Sequence, residues 1–142
     1  MAKVRIKGVQ MLNFPKNIKI LAVDDDAFNL DILTEYLSMA GYEVIPADDG
    51  DVALTKLEQN PDISIIILDR MMPRMDGMAV LKILKSDPRF SDIPVIMQTA
   101  VVAPELKFEA VNLGVYQYLT KPYQDKILVD LVNSALDSIQ IH

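Results

Sequence analysis

Short apolar runs that suit buried strands alternate, five times along this chain, with longer stretches in which apolar residues recur every three or four positions. That alternation predicts an α/β fold, with helices packed on a parallel sheet. Residues 18–23 are the first predicted strand, followed by a helix on which Leu30, Leu33, Leu37 and Ala40 form one stripe and after which Gly41 stands where a C-cap glycine belongs. Val44 and Ile45 make a short second strand, residues 51–58 a helix, and Asn60-Pro61-Asp62 a turn. Ile63, Ile65, Ile66, Ile67 and Leu68, interrupted only by Ser64, suit the central strand of a sheet covered on both faces. Residues 78–85 predict a third helix, 94–99 a fourth strand, 104–113 a helix with Pro104 at its start and Gly114 after its end, and 116–120 a fifth strand. The last helix begins near Gln124, with Ile127, Leu128, Leu131, Val132, Ala135 and Ile139 as its inward stripe.

With 142 residues, 51% of them hydrophobic, the chain suffices for one well-cored domain. Its apolar runs fall far short of the roughly 20 residues of a membrane span, so no membrane insertion is expected. The absence of cysteine excludes disulfides, thiolate metal sites and Cys nucleophiles. Residues 1–17 carry no secretory-type apolar stretch, which makes the cytoplasm the expected location. The net charge of −6 is uneven: residues 1–17 hold Lys3, Arg5, Lys7 and Lys16 and no acid, so residues 18–142 carry −10. A body that acidic is repelled by phosphate backbones, and direct nucleic-acid binding is not expected. We therefore divide the chain into a basic N-terminal extension, 1–17, and a folded domain, 18–142. The extension reads as a solvated lead-in rather than as an interaction arm. The methionines between Met71 and Met97 read as core and loop filling rather than as an adaptable binding surface.

In an open parallel sheet, ligands bind beyond the carboxyl ends of the strands. Asp24-Asp25-Asp26 follow the first predicted strand, Asp69 the third and Lys121 the fifth, while Thr99 ends the fourth. Singly, each has an ordinary explanation: acids favour the positive end of a helix, Asp69 suits a turn, Thr99 a cap and Lys121 an exposed charge. Together, several like charges at one edge repel one another unless a cation and the lysine offset them. Oxygen donors without His or Cys select a hard cation, and so few carboxylates suit Mg²⁺, or Mn²⁺ in its place, completed by water and phosphate oxygens. Asp69 is then a carboxylate nucleophile for a phosphoryl group, with Mg²⁺ and Lys121 stabilising charge and Thr99 donating a hydrogen bond to the bound phosphoryl.

Four segments, in order, resemble the response-regulator receiver family: Val23-Asp24-Asp25-Asp26, the run from Leu68-Asp69-Arg70-Met71-Met72-Pro73 through Asp76-Gly77, Thr99-Ala100, and Lys121-Pro122. The resemblance covers about residues 17–141 and implies a flavodoxin-like three-layer sandwich whose five-stranded parallel sheet has the order 2-1-3-4-5. It implies Asp69 as phosphoacceptor, and Asp25, Asp69 and the Met71 backbone carbonyl as metal ligands, with Asp24 reaching the metal through water. Thr99, the Ala100 backbone and Lys121 would hold the phosphoryl group, and the peptide before Pro122 would be cis. Asp26 matches no ligand position and reads as a first-turn helix acid. Thr99 and Tyr118 are the implied switch pair, and the fourth helix, fifth strand and fifth helix the implied output surface. Met71 and Val101 stand where side chains of this family flank the hydrolytic water, and being apolar they imply a long-lived phosphoryl group.

The implied donor is a sensor histidine kinase or phosphotransfer protein, and the recipient is an unknown downstream protein or output domain. Phosphorylation-dependent dimerisation stays open, as does whether the domain stands alone or belongs to a longer protein. Such a module catalyses only its own phosphorylation and dephosphorylation and is a signalling domain rather than a metabolic enzyme. An aspartyl phosphohydrolase is disfavoured, since such enzymes generally carry a cap or a longer chain than these 142 residues. A binding-only receiver is disfavoured because every expected acid, the threonine and the lysine are present. No Gly-x-Gly-x-x-Gly turn supports a dinucleotide.

Overall fold

The computed structural model describes residues 3–5, 11–13 and 18–140. Two three-residue strands, β1 (Lys3–Arg5) and β2 (Met11–Asn13), pair antiparallel. Then come β3 (Lys19–Val23), α1 (Ala27–Met39), β4 (Glu43–Ala47), α2 (Gly50–Gln59), β5 (Ile63–Asp69), α3 (Gly77–Ser86), β6 (Val95–Thr99), α4 (Pro104–Asn112), β7 (Gln117–Thr120) and α5 (Asp125–Gln140). The five main strands are all parallel, in the order β4-β3-β5-β6-β7. Setting the hairpin aside, this is the 2-1-3-4-5 order of a flavodoxin-like sandwich.

The alternation of side chains along a strand builds two cores. Leu21, Val23, Ile66, Leu68, Val95 and Met97 face α2, α3 and α4, joined by Ala53, Leu57, Leu81, Leu84 and Ala110. On the other face, Ile20, Ala22, Ile65, Ile67 and Ile96 meet Leu30, Leu33 and Leu37 of α1 and Leu128, Val132, Ala135 and Leu136 of α5. Because β5 is central and covered on both faces, none of its residues 65–68 has room for a polar side chain. Each such side chain contributes roughly 1.5–3 kcal/mol through burial.

Several boundaries differ from the sequence reading. The second strand extends over Glu43–Ala47 and accommodates Pro46, since β4 is a sheet edge where a missing N–H costs no ladder bond. Ala40 is the exposed C-cap of α1 rather than part of its buried stripe. On α5, Ile127 and Ile139 are 45% and 40% exposed, so they do not belong to the inward stripe. The stripe is Leu128, Val132, Ala135 and Leu136, and Leu131 is partly buried beside it. Ile127 lies one position, about 100° of helical rotation, from Leu128, and Ile139 occupies the last full turn beside an open cleft with Pro61, Ile63 and Pro94. Of the methionines singled out above, Met72, Met78 and Met97 are core and Met75 packs against it, while Met71 is 54% exposed.

Within residues 1–17 the hairpin departs from a featureless extension, and its strands are too short to carry a readable period. Lys7 and Lys16 lie outside the described residues.

Candidate functional site

The carboxyl ends of β3, β5, β6 and β7 bring the predicted polar residues to one edge of the sheet. Backbone bonds that continue past the ladders hold these ends in line: Asp24 N–H to Ala47 O at 3.1 Å, Arg70 N–H to Gln98 O at 2.8 Å, and Lys121 N–H to Thr99 O at 2.7 Å. Asp24 and Asp69 are 1% and 5% exposed, whereas Asp25 faces solvent. One carboxylate oxygen from each of Asp24, Asp25 and Asp69 lies within 4.8 Å of the others. Lys121 Nζ stands 3.1 Å from Asp24 Oδ2 and 3.8 Å from Asp69 Oδ1, so the ammonium is nearer Asp24 than Asp69.

Burial is the main reason that the Asp69 carboxyl is pushed up to about 7, and the negative charge of Asp24 adds to it. Lys121 opposes the shift, Asp25 reinforces it, and the Met71 backbone amide opposes it weakly. A metal-free site therefore disfavours its own ionised form. Three oxygen donors, one open to water, beside a single lysine match the needs of a hard divalent cation, which would offset that repulsion.

Asp26 is the N-cap of α1 rather than a first-turn acid, its Oδ1 accepting from the amides of Phe28 at 2.9 Å and Asn29 at 3.1 Å. The Asp26 amide in turn donates to Asp24 Oδ1 at 2.9 Å and fixes that carboxylate. Thr99 is fully buried, and its Oγ1 accepts from the Val101 amide at 3.1 Å. Ala100 is exposed at the same edge, and Met71 and Val101 are 54% and 40% exposed. The Lys121–Pro122 peptide is cis. Tyr118 is buried in the core beneath α4, and its hydroxyl has no hydrogen-bond partner among the described residues.

The structure adds residues to which the sequence reading assigned no role. Gly77 opens α3 so close to β5 that a Cβ there would overlap the Asp69 carbonyl oxygen and come within 2.8 Å of Arg70 Cα. Arg74, with φ of 65°, reaches Asp49, the N-cap of α2. Arg70 is 6% exposed and donates to Leu106 O at 3.0 Å and to Glu109 Oε1 at 3.1 Å, both on α4. Gln98, also buried, accepts from the Tyr123 hydroxyl. These two line a pocket of about 290 Å³ with Asp24, Asn29, Tyr36 and Lys121. A glycine before a predicted helix was a readable signal for close approach. Arg70, one residue past the end of the apolar strand β5, read in the sequence as an ordinary loop charge and gave no sign of its burial.

The response regulator receiver domain family matches residues 20–133. The chain is 36% identical over 120 residues to "Chemotaxis protein CheY1" of Helicobacter pylori, covering 84% of this chain and 97% of that protein. It is 38% identical over 119 residues to "DNA-binding dual master transcriptional regulator RpaA" of Synechocystis, covering 83% of this chain but only 48% of the relative. Among solved structures, Vibrio cholerae chemotaxis protein CheY4 superposes with a TM-score of 0.78 at 32% identity, covering 84% of this chain and 98% of that one. A receiver domain protein from Clostridium thermocellum gives 0.82 at 27% identity, covering 87% and 98%. Among the described residues no helix is long and apolar enough to cross a membrane. The matched span runs from β3 into α5 and contains every polar residue at the carboxyl edge of the sheet, and the chain belongs to the response-regulator receiver family, the receiver domains of two-component signalling.

Proposed function

We propose that Asp69 accepts a phosphoryl group from a histidine of a sensor kinase or phosphotransfer protein. The observation that carries this reading is the buried Asp69 carboxylate between two further acids and a lysine 3.8 Å away. An Asp69 oxygen attacks phosphorus and forms the acyl phosphate, while the phosphorus–nitrogen bond to the donor imidazole breaks and its electron pair stays with the imidazole. Asp24, Asp25 and Asp69, with the Met71 carbonyl, would hold Mg²⁺, which supplies charge neutralisation for the phosphoryl oxygens. Lys121 exchanges part of its pairing with Asp24 for the incoming phosphoryl oxygens. Thr99 turns its hydroxyl from the Val101 amide to donate to the phosphoryl, and the Ala100 amide is free to join it.

Withdrawal of Thr99 releases the start of the β6–α4 connection, and Tyr118, whose buried hydroxyl already lacks a partner, follows the rearrangement. The face formed by α4, β7 and α5 then carries the signal to a downstream protein or output domain. The apolar side chains of Met71 and Val101 offer no group to orient a hydrolytic water, which favours a long-lived phosphoryl group.

The direct test is intact mass spectrometry after incubation with acetyl phosphate, with and without Mg²⁺. The expected result is a single phosphoryl adduct that requires Mg²⁺ and is absent from Asp69→Asn. A folded, metal-loaded protein that gains no adduct from acetyl phosphate or from a phosphorylated donor overturns the reading.

A further inference from the structure

Arg70 is the residue immediately after the acceptor, and it shares the strand face of Ile66 and Leu68, on which α4 packs. Its backbone is fixed on both sides, the amide to Gln98 O at 2.8 Å and the carbonyl accepting from Gly77 N–H at 2.9 Å. The guanidinium, with only 7% of its side chain exposed, reaches the middle of α4 through Leu106 O and Glu109. A buried guanidinium is costly to desolvate, and an apolar side chain at such a site generally packs as well or better. Stability alone is therefore a weak reason for an arginine here.

The helix that Arg70 holds has little else to hold it. Ala110 is its one buried residue, its N-terminus has no side-chain cap, and Phe108 and Val111 point outward at 67% and 52% exposure. Its entry is tied by the Thr99–Val101 bond, and beneath it lies the unpartnered Tyr118 hydroxyl. A buried hydroxyl without a protein partner costs free energy that a rearrangement could recover. We propose that Arg70 is a positioning residue that holds α4 in its unphosphorylated seat through Leu106 and Glu109, and so sets how readily phosphorylation at Asp69 switches the output face.

This inference rests on Asp69 being the acceptor and assigns the regulation of that site to a residue with no part in the phosphoryl chemistry. Because coupling between two states is reciprocal, loosening α4 also favours the state that accepts phosphoryl.

The experiment is amide hydrogen exchange over residues 104–112, without and with acetyl phosphate and Mg²⁺, in wild type, Arg70→Met and Glu109→Gln. The rate of adduct formation is followed by mass in parallel. Arg70→Met is expected to speed exchange in α4 about tenfold in the unphosphorylated protein, to leave little further change on phosphorylation, and to raise the adduct rate severalfold. Exchange in β5 and α1 should stay at wild-type rates, which a merely structural loss would not allow. If Arg70→Met does not fold, Glu109→Gln decides, because its side chain is more than half exposed. The same changes in smaller degree then support the proposal. Wild-type exchange in α4 together with a wild-type adduct rate in the folded variant overturns it. Failure of wild type itself to form an adduct is a different result: it removes the phosphoacceptor reading, and with it the proposed regulation, whatever the exchange in α4.

Discussion

Asp69 shows how one residue can be favourable for a site and unfavourable for the fold. Its carboxyl, raised to about 7 by burial and by its acidic neighbours, keeps its proton in the folded chain at pH values where the unfolded chain has released it. The stability this contributes is fully present below the unfolded value near 4 and is lost as pH rises through about 7. Without Mg²⁺, wild type should therefore fall in urea midpoint between pH 5 and pH 8, by the equivalent of on the order of 1–3 kcal/mol. Asp69→Asn should lack most of that slope and be the more stable protein at pH 8. The same proton competes with a cation. Titration of Mg²⁺ should show affinity dropping about tenfold per unit as pH falls below 7. At Gly77 the constraint is steric: the added methyl of Gly77→Ala must displace backbone at Asp69 and Arg70 rather than a flexible side chain. The expected cost is about 2–4 kcal/mol in chemical denaturation, with a slower phosphoryl transfer in whatever protein still folds.

At the scale of elements, the two faces of α5 separate what periodicity can and cannot assign. Leu128→Ala should destabilise the protein by about 2–5 kcal/mol, since Leu128 is fully buried among Ile65, Ile67 and the α1 leucines. Ile127→Ala, one residue earlier and 45% exposed, should change the urea midpoint by less than about 1 kcal/mol equivalent. The apolar sequence pattern treats these neighbours alike, because isoleucine and leucine are equally apolar and a helix stripe is wide enough to admit either. The reverse holds for β5. Its branched residues, interrupted only by Ser64, were legible as a central strand, since no partly solvated strand needs apolar side chains on both faces. The hairpin of β1 and β2 escaped notice because three residues cannot display a period.

For the whole molecule, the acidic edge and the distribution of charge act together. The body carries −10, and three of its carboxylates meet at the end of the sheet. A divalent cation that binds the folded chain and not the unfolded one stabilises it by mass action, about 2.7 kcal/mol at a hundred times Kd. Mg²⁺ should accordingly raise the thermal midpoint of wild type, and Asp25→Asn should abolish most of that rise while leaving the metal-free midpoint near its own value. The same rise in a variant lacking both Asp25 and Asp69 would mean that the cation binds elsewhere.

The sequence by itself determined the α/β class, the five strand–helix repeats and the set of residues at the carboxyl edge, because strand and helix periods are local properties of the chain. It also carried the motif order by which Asp24, Asp25, Asp69, Thr99 and Lys121 were singled out together. Only the tertiary structure decided that Lys121 lies closer to Asp24 than to Asp69, that Asp26 caps α1, and that Arg70 crosses from the end of β5 to α4. These depend on distances between residues as many as 97 positions apart and on which side chains the packed helices leave room for. The pattern along the chain names the groups at an edge, while packing fixes which of them touch and how strongly each is desolvated.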